Sequence, residues 1–240
     1  MIVSADVKSL EVVVCAFLSQ DRVLCDEVCQ RIDFHDLNKK RFGLPDRVTA
    51  KRFKFKLIYG ASAFGYANDS DFIDVSTSTN FWQAVIDEYY AKYTGIRTMH
   101  IELVKNALST GLYTSPSGRR YEFPIRDVAA REWYWRPKIL NYPVQGLGAD
   151  LVMIGRISMW NRIKNAGLAG KVLPIMTVHD SVVVDSPPEM CYTIGKIMKE
   201  SVVDIPMNFE RLFGAEFNLP LDAEIKMGPN LGKMEVMECS

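Results

Sequence analysis

Two aspartates stand beside short apolar runs, where a carboxylate could take part in chemistry. Asp6 follows the apolar residues 2–5, and Asp180 lies between the apolar runs 172–178 and 181–185. A position in a turn or at a helix cap would also explain each aspartate alone. Together they resemble a pair of carboxylates that could hold two divalent cations about 3.5–4 Å apart for phosphoryl transfer. Because Mg²⁺ prefers oxygen ligands, we expect Mg²⁺ in such a site.

A second group of residues lies in a strongly basic stretch. Positions 39–56 hold eight basic residues and one acidic residue, so this stretch carries +7 and the rest of the chain carries −7. Three residues of this stretch and one just beyond it are spaced by four and would form one stripe on a helix: Arg47, Lys51, Phe55 and then Tyr59. Two cations followed by two rings suit a ligand with a polyphosphate at one end and a flat base at the other. A basic helix face in contact with water would also explain the stretch.

The composition is that of an ordinary globular chain. Its 240 residues are 48% hydrophobic and 24% charged with no net charge, which excludes wholesale disorder. Its five cysteines lack the spacing of a zinc site and indicate reduced thiols. The first residues do not resemble a signal peptide, and the apolar runs are too short to span a bilayer. We therefore expect a protein that is cytoplasmic and not secreted, whether nucleoid-associated or, if viral, in the host cytoplasm.

The elements that must position these residues are predicted from apolar periodicity. We predict strands over residues 2–5, 172–178, 181–185 and 219–226, and a hairpin over residues 111–123. We predict helices over residues 9–18, 47–59, 81–93, 96–108, 150–164 and 191–203 and a loop over 61–80, while residues 21–40 are mixed and polar. Strands at both ends with helices between them indicate an α/β or α+β chain, in which a helical middle is inserted into a sheet.

Three blocks of the sequence, in order, resemble those of family A, the polymerase I-like DNA polymerases. The first block runs from Asp6 to Glu11, the second is RVTAKRFKFKLIYG beginning at Arg47, and the third is VHDSVVV around Asp180. The segments NYPVQG and GLYTSPSGRRYEFP resemble further parts of the same family. The resemblance covers nearly the whole chain, and its second block is the most specific.

This resemblance implies an α+β fold. A polymerase palm, formed by an antiparallel sheet with helices, would carry an inserted helical fingers subdomain. Residues 1–24 would be the first part of the palm, residues 25–135 the fingers and residues 136–240 the second part of the palm. A thumb and an exonuclease domain would be absent, so we expect a fragment or the C-terminal piece of a split polymerase. Such a piece would need an N-terminal partner chain that carries the thumb, with or without an exonuclease.

The resemblance also implies a reaction and a role for each matching residue. The reaction is template-directed DNA synthesis, in which a dNMP from dNTP is added to a primer 3′-hydroxyl and pyrophosphate is released by a two-metal mechanism. Asp6, Asp180 and the Val7 carbonyl would bind two Mg²⁺ ions. The incoming dNTP would contact Glu11, His35, Arg47, Lys51, Phe55 and Tyr59. Primer–template DNA would contact Asn141, Gln145 and His179.

Within the implied nucleotide site, individual side chains would have distinct tasks. Arg47 and Lys51 would bind the triphosphate, and Lys51 could also protonate the leaving group as a catalytic residue. Glu11 would crowd the sugar 2′ position and so exclude ribonucleotides. Phe55 would pack on the sugar, and Tyr59 would close the pocket beneath the nascent base pair.

Three features depart from the family pattern. Ser181 stands where the family often has an acidic residue, so we expect weakened metal handling with activity retained. Pro137 stands where an arginine is usual, between Arg136 and Lys138, and that role stays unassigned. The segment between His35 and the second block is short.

Two other functions share some of these features. A single-subunit RNA polymerase has the same palm and fingers and a third block with His-Asp-Ser, but Glu11 and Phe55 argue against it. A non-catalytic DNA-binding subunit with a polymerase-like fold is the other alternative. Intact Asp6, Asp180 and Lys51 argue against that function.

Overall fold

The chain forms both β-strands, from its short apolar runs, and α-helices. A computed structural model describes residues 1–32, 39–124 and 131–239. The strands are β1 (Ile2–Val7), β2 (Leu112–Thr114), β3 (Arg120–Glu122), β4 (Leu173–Val178), β5 (Ser181–Asp185), β6 (Ala223–Asn230) and β7 (Lys233–Val236). The helices include α1 (Leu10–Ser19), α2 (Arg22–Cys29), α3 (Arg47–Ile58), α4 (Ala63–Ala67), α5 (Thr79–Lys92), α6 (Thr94–Thr110), α7 (Arg131–Asn165), α8 (Cys191–Val203) and α9 (Ile205–Phe213). The predicted α+β class is confirmed.

The chain divides into two compact units, which we call the sheet unit and the helical unit. The sheet unit consists of Met1–Val14, Pro116–Gly118 and Gly146–Ser240. The helical unit consists of Cys15–Ser115 and Arg119–Gln145. The predicted division into palm and fingers at residues 24 and 135 stays a prediction.

The sheet unit is built on a five-stranded antiparallel sheet with the strand order β4-β5-β1-β6-β7. Burial alternates along β1, because successive side chains of a strand point to opposite faces. Val3, Ala5 and Val7 are buried on the face that packs against α7 and α8. Ser4 and Asp6 therefore lie on the other, partly exposed face.

The helical unit has a core of aromatic rings around Phe53 of α3. Phe53 is fully buried, and its ring centroid lies 5.1–6.1 Å from those of four other rings. Those rings belong to Phe42, Tyr66, Trp82 and Tyr89. Large rings at these separations add specific pair contacts to their apolar burial. One face of α3 is thus fixed in the core, which leaves the opposite face for a ligand.

The helix α2 was not predicted from the sequence, because residues 21–40 are mixed and polar. Asp21 explains its formation: this carboxylate caps the helix by accepting a hydrogen bond from the Leu24 N–H at 2.9 Å. The other oxygen of Asp21 accepts from the Gly95 N–H at 2.7 Å. A Cβ atom at Gly95 would lie 2.7 Å from the Asp21 Cα, so only glycine fits this approach. One buried carboxylate therefore starts α2 and joins it to α6.

The helix α7 is longer than predicted. The sequence predicts a helix over residues 150–164, whereas α7 begins at Arg131 and includes Pro137 and Pro143. Proline costs a helix one hydrogen bond, so a segment with two prolines does not indicate a continuous helix from the sequence alone. The short helix α4 and the helix α9 were also not predicted.

Most other predicted elements are confirmed within a few residues. The hairpin over residues 111–123 forms β2 and β3, and the runs on either side of Asp180 form β4 and β5. The strand predicted over 2–5 continues to Val7, and the closing strand predicted over 219–226 begins at Ala223. Within the described residues, no helix combines the length and apolar character needed to cross a bilayer.

His100 makes the stability of the helical unit depend on pH. It is 1% exposed, its Nδ1 lies 2.9 Å from the Tyr90 hydroxyl, and burial lowers its pKa from 6.5 to about 4. A depressed histidine pKa means that the unfolded chain takes up a proton first as the pH falls. We expect stability to be unaffected by this group above pH 6.5 and to fall between pH 6.5 and 4, by at most about 1.4 kcal/mol per pH unit.

Urea unfolding at pH 7.5 and pH 5 tests this expectation. The His100→Gln variant should lose less stability between the two pH values than the wild type. His179→Gln is the control, because His179 is exposed in a turn and should leave the difference unchanged. Equal losses in wild type and His100→Gln would contradict the assignment.

Candidate active site

Asp6 lies in the centre of a row that crosses three strands. In the register of the sheet it faces Ser181 of β5 on one side and Glu224 of β6 on the other. The Ser181 hydroxyl donates a hydrogen bond to Asp6 Oδ2 at 2.6 Å. Asp6 is half-buried, so its carboxylate is fixed by the sheet while it stays accessible from the open face.

Asp180 lies next to Asp6 because the turn between β4 and β5 lies at the end of the sheet where β1 also ends. The Val7 N–H donates to the Asp180 carbonyl oxygen at 3.1 Å, and Ser181 follows directly in β5. His179, the first residue of this turn, has φ = +53°, a conformation that non-glycine residues seldom adopt. The structure thus brings together the segments that carry Asp6, Val7 and Asp180.

These residues offer only oxygen atoms to a cation. Asp6 and Asp180 supply carboxylates and Val7 supplies a backbone carbonyl, a donor set that fits Mg²⁺ when substrate phosphates complete the shell. Among the described residues, no three side chains of histidine, cysteine, aspartate or glutamate are grouped as metal ligands. The protein therefore provides two carboxylates, which suits an ion shared with a substrate better than a permanently enclosed one.

Glu224 and Lys226 form an ion pair on the same face as Asp6. The hydrogen bond with Glu224 raises the pKa of Lys226. Burial opposes this shift, and the charges of Glu224 and Asp6 add to it. The sequence predicted neither residue as part of the site. The alternation of apolar and polar residues along β6 puts Glu224 and Lys226 on one face of that strand. Only the strand register places these side chains beside Asp6.

Asp46 fixes the start of α3. Its Oδ1 accepts hydrogen bonds from the N–H groups of Val48 and Thr49 at 2.7 and 2.9 Å, and its Oδ2 accepts from the Thr49 hydroxyl at 2.7 Å. These bonds lower the pKa of Asp46, and the bond from the Thr49 hydroxyl has the largest effect. Arg47 is consequently the first residue of α3 and lies at its electropositive end, where an anion is stabilised.

The predicted stripe on α3 is present. Arg47 and Lys51 are exposed, whereas Phe55 and Tyr59 are half-buried. Lys51 Nζ lies 5.7 Å from the centroid of the Phe55 ring, so the cation and the ring are neighbours. At the end of the helix Gly60 has φ = +79°, the left-handed conformation in which helices commonly end.

The basic stretch is partly neutralised away from this stripe. Arg52 binds Asp71 at 3.0 Å, and Lys56 binds both Asp69 and Asp71. Lys51 differs from them, since no ion pair of the described residues includes it. The predicted charge of +7 is thus reduced by nearby acids, and Lys51 keeps its charge available to an anion.

The remaining predicted residues occupy several elements. Glu11 is half-buried in the first turn of α1. Asn141 is half-buried and Gln145 exposed on one face of α7, and His179 is exposed. His35 lies outside the described residues.

The two units hold different parts of the predicted site. Asp6, Val7, Glu11, His179 and Asp180 belong to the sheet unit. The stripe of α3 and the pair on α7 belong to the helical unit, with Arg47, Lys51, Phe55, Tyr59, Asn141 and Gln145. The roles predicted for these residues stay predictions.

Comparison with protein families gives a match along almost all of the chain. The model of DNA polymerase family A matches residues 1–233. The chain belongs to DNA polymerase family A. The resemblance found in the three sequence blocks is thereby confirmed at the level of the family.

Curated relatives of this family A chain are bacterial DNA polymerases I. That of Streptococcus pneumoniae strain R6 is 29% identical over 215 residues, covering 84% of this chain and 24% of the relative. That of Pseudomonas aeruginosa is 29% identical over 233 residues, covering 90% and 25%. That of Treponema pallidum is 27% identical over 243 residues, covering 96% and 23%. The chain thus spans about a quarter of the length of the curated relatives it matches.

A solved structure shares the fold of this family A chain. It is the polymerase domain of Pol1 from M. smegmatis, in complex with a DNA primer-template and dNTP. The TM-score is 0.80 at 23% sequence identity, and the match covers 95% of this chain and 39% of that one. The predicted polymerase fold, with an antiparallel sheet and helices, is confirmed.

Proposed function

We propose that this chain catalyses template-directed DNA synthesis, adding a dNMP from dNTP to a primer 3′-hydroxyl with release of pyrophosphate. The observation that carries the proposal is the pairing of β1 with the β4–β5 turn, which sets Asp6 beside Asp180. Membership of family A and the accessible cations of α3 support the same reaction. The solved relative was studied with primer-template DNA and dNTP, and we assign both ligands to this chain as part of the proposal.

The carboxylates of Asp6 and Asp180, with the Val7 carbonyl, would hold two Mg²⁺ ions. When bound, these ions would activate the primer hydroxyl and neutralise the triphosphate and the departing pyrophosphate. The side chains themselves orient and bind: Ser181 fixes Asp6, and the β4–β5 turn fixes Asp180. This division suits phosphoryl transfer, where catalysis consists mostly of positioning and electrostatic stabilisation.

The stripe of α3 suits the nucleotide. Arg47 and Lys51 would bind the triphosphate, and Lys51 would donate a proton to the leaving pyrophosphate. Phe55 would pack on the sugar, and Tyr59 would close the pocket under the new base pair. Since Lys51 lies beside the Phe55 ring, the phosphate and sugar contacts come from adjacent turns of one helix.

Other residues would act on the sugar and on the DNA. Glu11 would exclude a ribonucleotide by crowding its 2′-hydroxyl, and His35 would contact the triphosphate. Asn141, Gln145 and His179 would contact the minor groove or the backbone near the primer end. Such contacts test the geometry of a base pair without reading its sequence.

We further propose that polymerase elements outside this sequence complete the enzyme, as an N-terminal chain that carries the thumb, with or without an exonuclease. The chain spans 39% of the solved polymerase domain that it matches. The edge strand β4 also exposes four large apolar side chains: Leu173, Ile175, Met176 and Val178. No strand of the described residues pairs with its outer edge. An open apolar edge of this kind is a site for strand addition, so a covering element would protect it.

Primer extension tests the proposed function directly. The chain is mixed with the upstream polymerase segment, primer-template DNA, dNTPs and Mg²⁺, and the lengthening of the primer is followed. We expect extension that depends on Mg²⁺ and that falls when the upstream segment is left out. A mixture that binds DNA but never extends the primer would favour the non-catalytic subunit instead.

The Glu11→Ala variant tests the choice between deoxyribonucleotides and ribonucleotides. We expect the wild type to incorporate dNTP in preference to rNTP and the variant to discriminate at least about tenfold less, because the crowding of the 2′ position is removed. The ratio of kcat/KM for dATP and ATP measures this. Glu210→Ala, an exposed change on α9, is the matched control. A wild type that prefers rNTP would instead identify an RNA polymerase.

A further inference from the structure

Ser181 stands where the family often has an acidic residue, and the structure shows what it contacts. Its hydroxyl donates to Asp6 Oδ2 at 2.6 Å across a directly paired position of β5 and β1. A hydrogen bond to a carboxylate is stronger than one between neutral groups. Both residues lie within strands, so the bond joins two rigid backbones.

This hydrogen bond limits the rotation of the Asp6 carboxylate. An ionised carboxylate has two oxygens with about four acceptor positions, and it turns freely when nothing binds it. With Oδ2 bound by Ser181, the carboxylate is held in one orientation on the partly exposed face of the sheet. A cation that binds there does not have to order the side chain first, which lowers the entropic cost of binding.

Glu224 is the other acidic residue next to Asp6, but it has its own partner. It forms an ion pair with Lys226 two residues further along β6. Its carboxylate is therefore neutralised by a neighbour on the same strand. The described residues place no third carboxylate with Asp6 and Asp180 as a metal ligand.

We infer that Ser181 is a positioning residue: it orients Asp6 for a divalent cation by a hydrogen bond, in the place where an acidic residue would add charge. This inference rests on the proposed function, because it takes Asp6 as a ligand of Mg²⁺. The inference makes cation binding depend on the Ser181 hydroxyl, which Ser181→Ala removes and Ser181→Thr keeps.

Mn²⁺ binding to the chain without DNA or nucleotide tests the inference separately from activity. The electron paramagnetic resonance signal of free Mn²⁺ gives the dissociation constant. We expect this constant to rise about tenfold in Ser181→Ala, which is the lower end of the effect of losing a group that orients a metal ligand. Ser181→Thr, which keeps the hydroxyl, should bind nearly as the wild type does. In primer extension with the upstream segment, Ser181→Ala should need about tenfold more Mg²⁺ for half-maximal rate, with the rate at saturation nearly unchanged.

Two matched variants separate positioning from general effects on the sheet. Ser4→Ala removes a hydroxyl from the same face of β1, two residues before Asp6, and should leave Mn²⁺ binding unchanged. The double variant Glu224→Gln with Lys226→Met removes the ion pair without changing the net charge and should also leave Mn²⁺ binding unchanged, whereas weaker binding in that variant would make Glu224 a ligand and overturn the inference. Thermal unfolding without metal confirms that each variant is folded.

The two proposals fail in different ways. A wild type that extends primers while Ser181→Ala binds Mn²⁺ equally well would overturn the role of Ser181 alone. A wild type that does not extend primers while Ser181→Ala shows weakened Mn²⁺ binding would overturn the proposed function and keep the role of Ser181. Failure of the wild type to bind Mn²⁺ would overturn the inference.

Discussion

Replacing Asp6 with asparagine should lower the rate of primer extension by about a thousandfold or more, which corresponds to about 4 kcal/mol of transition-state stabilisation. Asparagine has the size of aspartate, and its carbonyl oxygen can still accept the hydrogen bond from Ser181. The substitution therefore keeps the local packing of β1 and removes one negative charge. With only two carboxylates in the proposed site, half of the side-chain charge that would hold Mg²⁺ is lost.

The control for this variant lies on the neighbouring strand. Asp185→Asn removes a charge at the far end of β5, where Asp185 is exposed and binds the amino terminus of Met1 at 3.4 Å. We expect its rate of extension to stay close to that of the wild type, because Asp185 lies at the opposite end of the strand from Ser181. If Asp6→Asn kept more than a tenth of the wild-type rate, Asp6 would not be a ligand of the catalytic ions.

The parts of the site that the sequence predicts are those encoded in local patterns. The four-residue spacing from Arg47 to Tyr59 defines one face of a helix, and Asp46 marks its start. The two apolar runs on either side of Asp180 define a hairpin with a turn at that residue. In each case the pattern lies within fewer than twenty residues and depends on the periodicity of one element.

The parts that the sequence does not predict depend on contacts between distant segments. Ser181 binds Asp6 across 175 positions of the chain, and only the register of β1 with β5 brings them together. Lys56 belongs to the basic stretch, but its charge is taken up by Asp69 and Asp71 from a later loop. Net charge summed along a stretch thus overstates the field that a ligand meets, because folding adds acids from elsewhere.

The polar segment over residues 21–40 shows the same limit for the core. Its helix α2 carries Glu27, which the sequence presents as one charge among several polar residues. In the structure Glu27 Oε1 binds Lys92 Nζ at 2.7 Å, and their side chains are only 8% and 7% exposed. The Tyr93 hydroxyl donates to Glu27 Oε2 at 2.8 Å. A charged pair thus joins α2 to the end of α5 within the core of the helical unit.

Replacing Lys92 with methionine should lower the free energy of unfolding by about 3–5 kcal/mol, the usual loss when one member of a buried ion pair is removed. Methionine fills much of the same volume, but Glu27 then remains buried with a charge that Lys92 no longer balances. Burial of an uncompensated charge is costly because the interior cannot replace its hydration. Since natural domains have only about 5–15 kcal/mol of stability, this variant would be close to unfolding at moderate temperature.

Two comparisons test whether the missing charge is the cause. The double variant Glu27→Gln with Lys92→Met should be more stable than Lys92→Met alone, because no charge is left buried without its partner, and the introduced amide oxygen could still accept from the Tyr93 hydroxyl. Glu88→Gln, on the same helix α5, breaks the Arg41–Glu88 pair, whose side chains are 45% and 46% exposed. That loss should not exceed about 1 kcal/mol. Urea unfolding of the variants measures all these values, and equal losses for Lys92→Met and Glu88→Gln would show that the buried pair does not stabilise the helical unit.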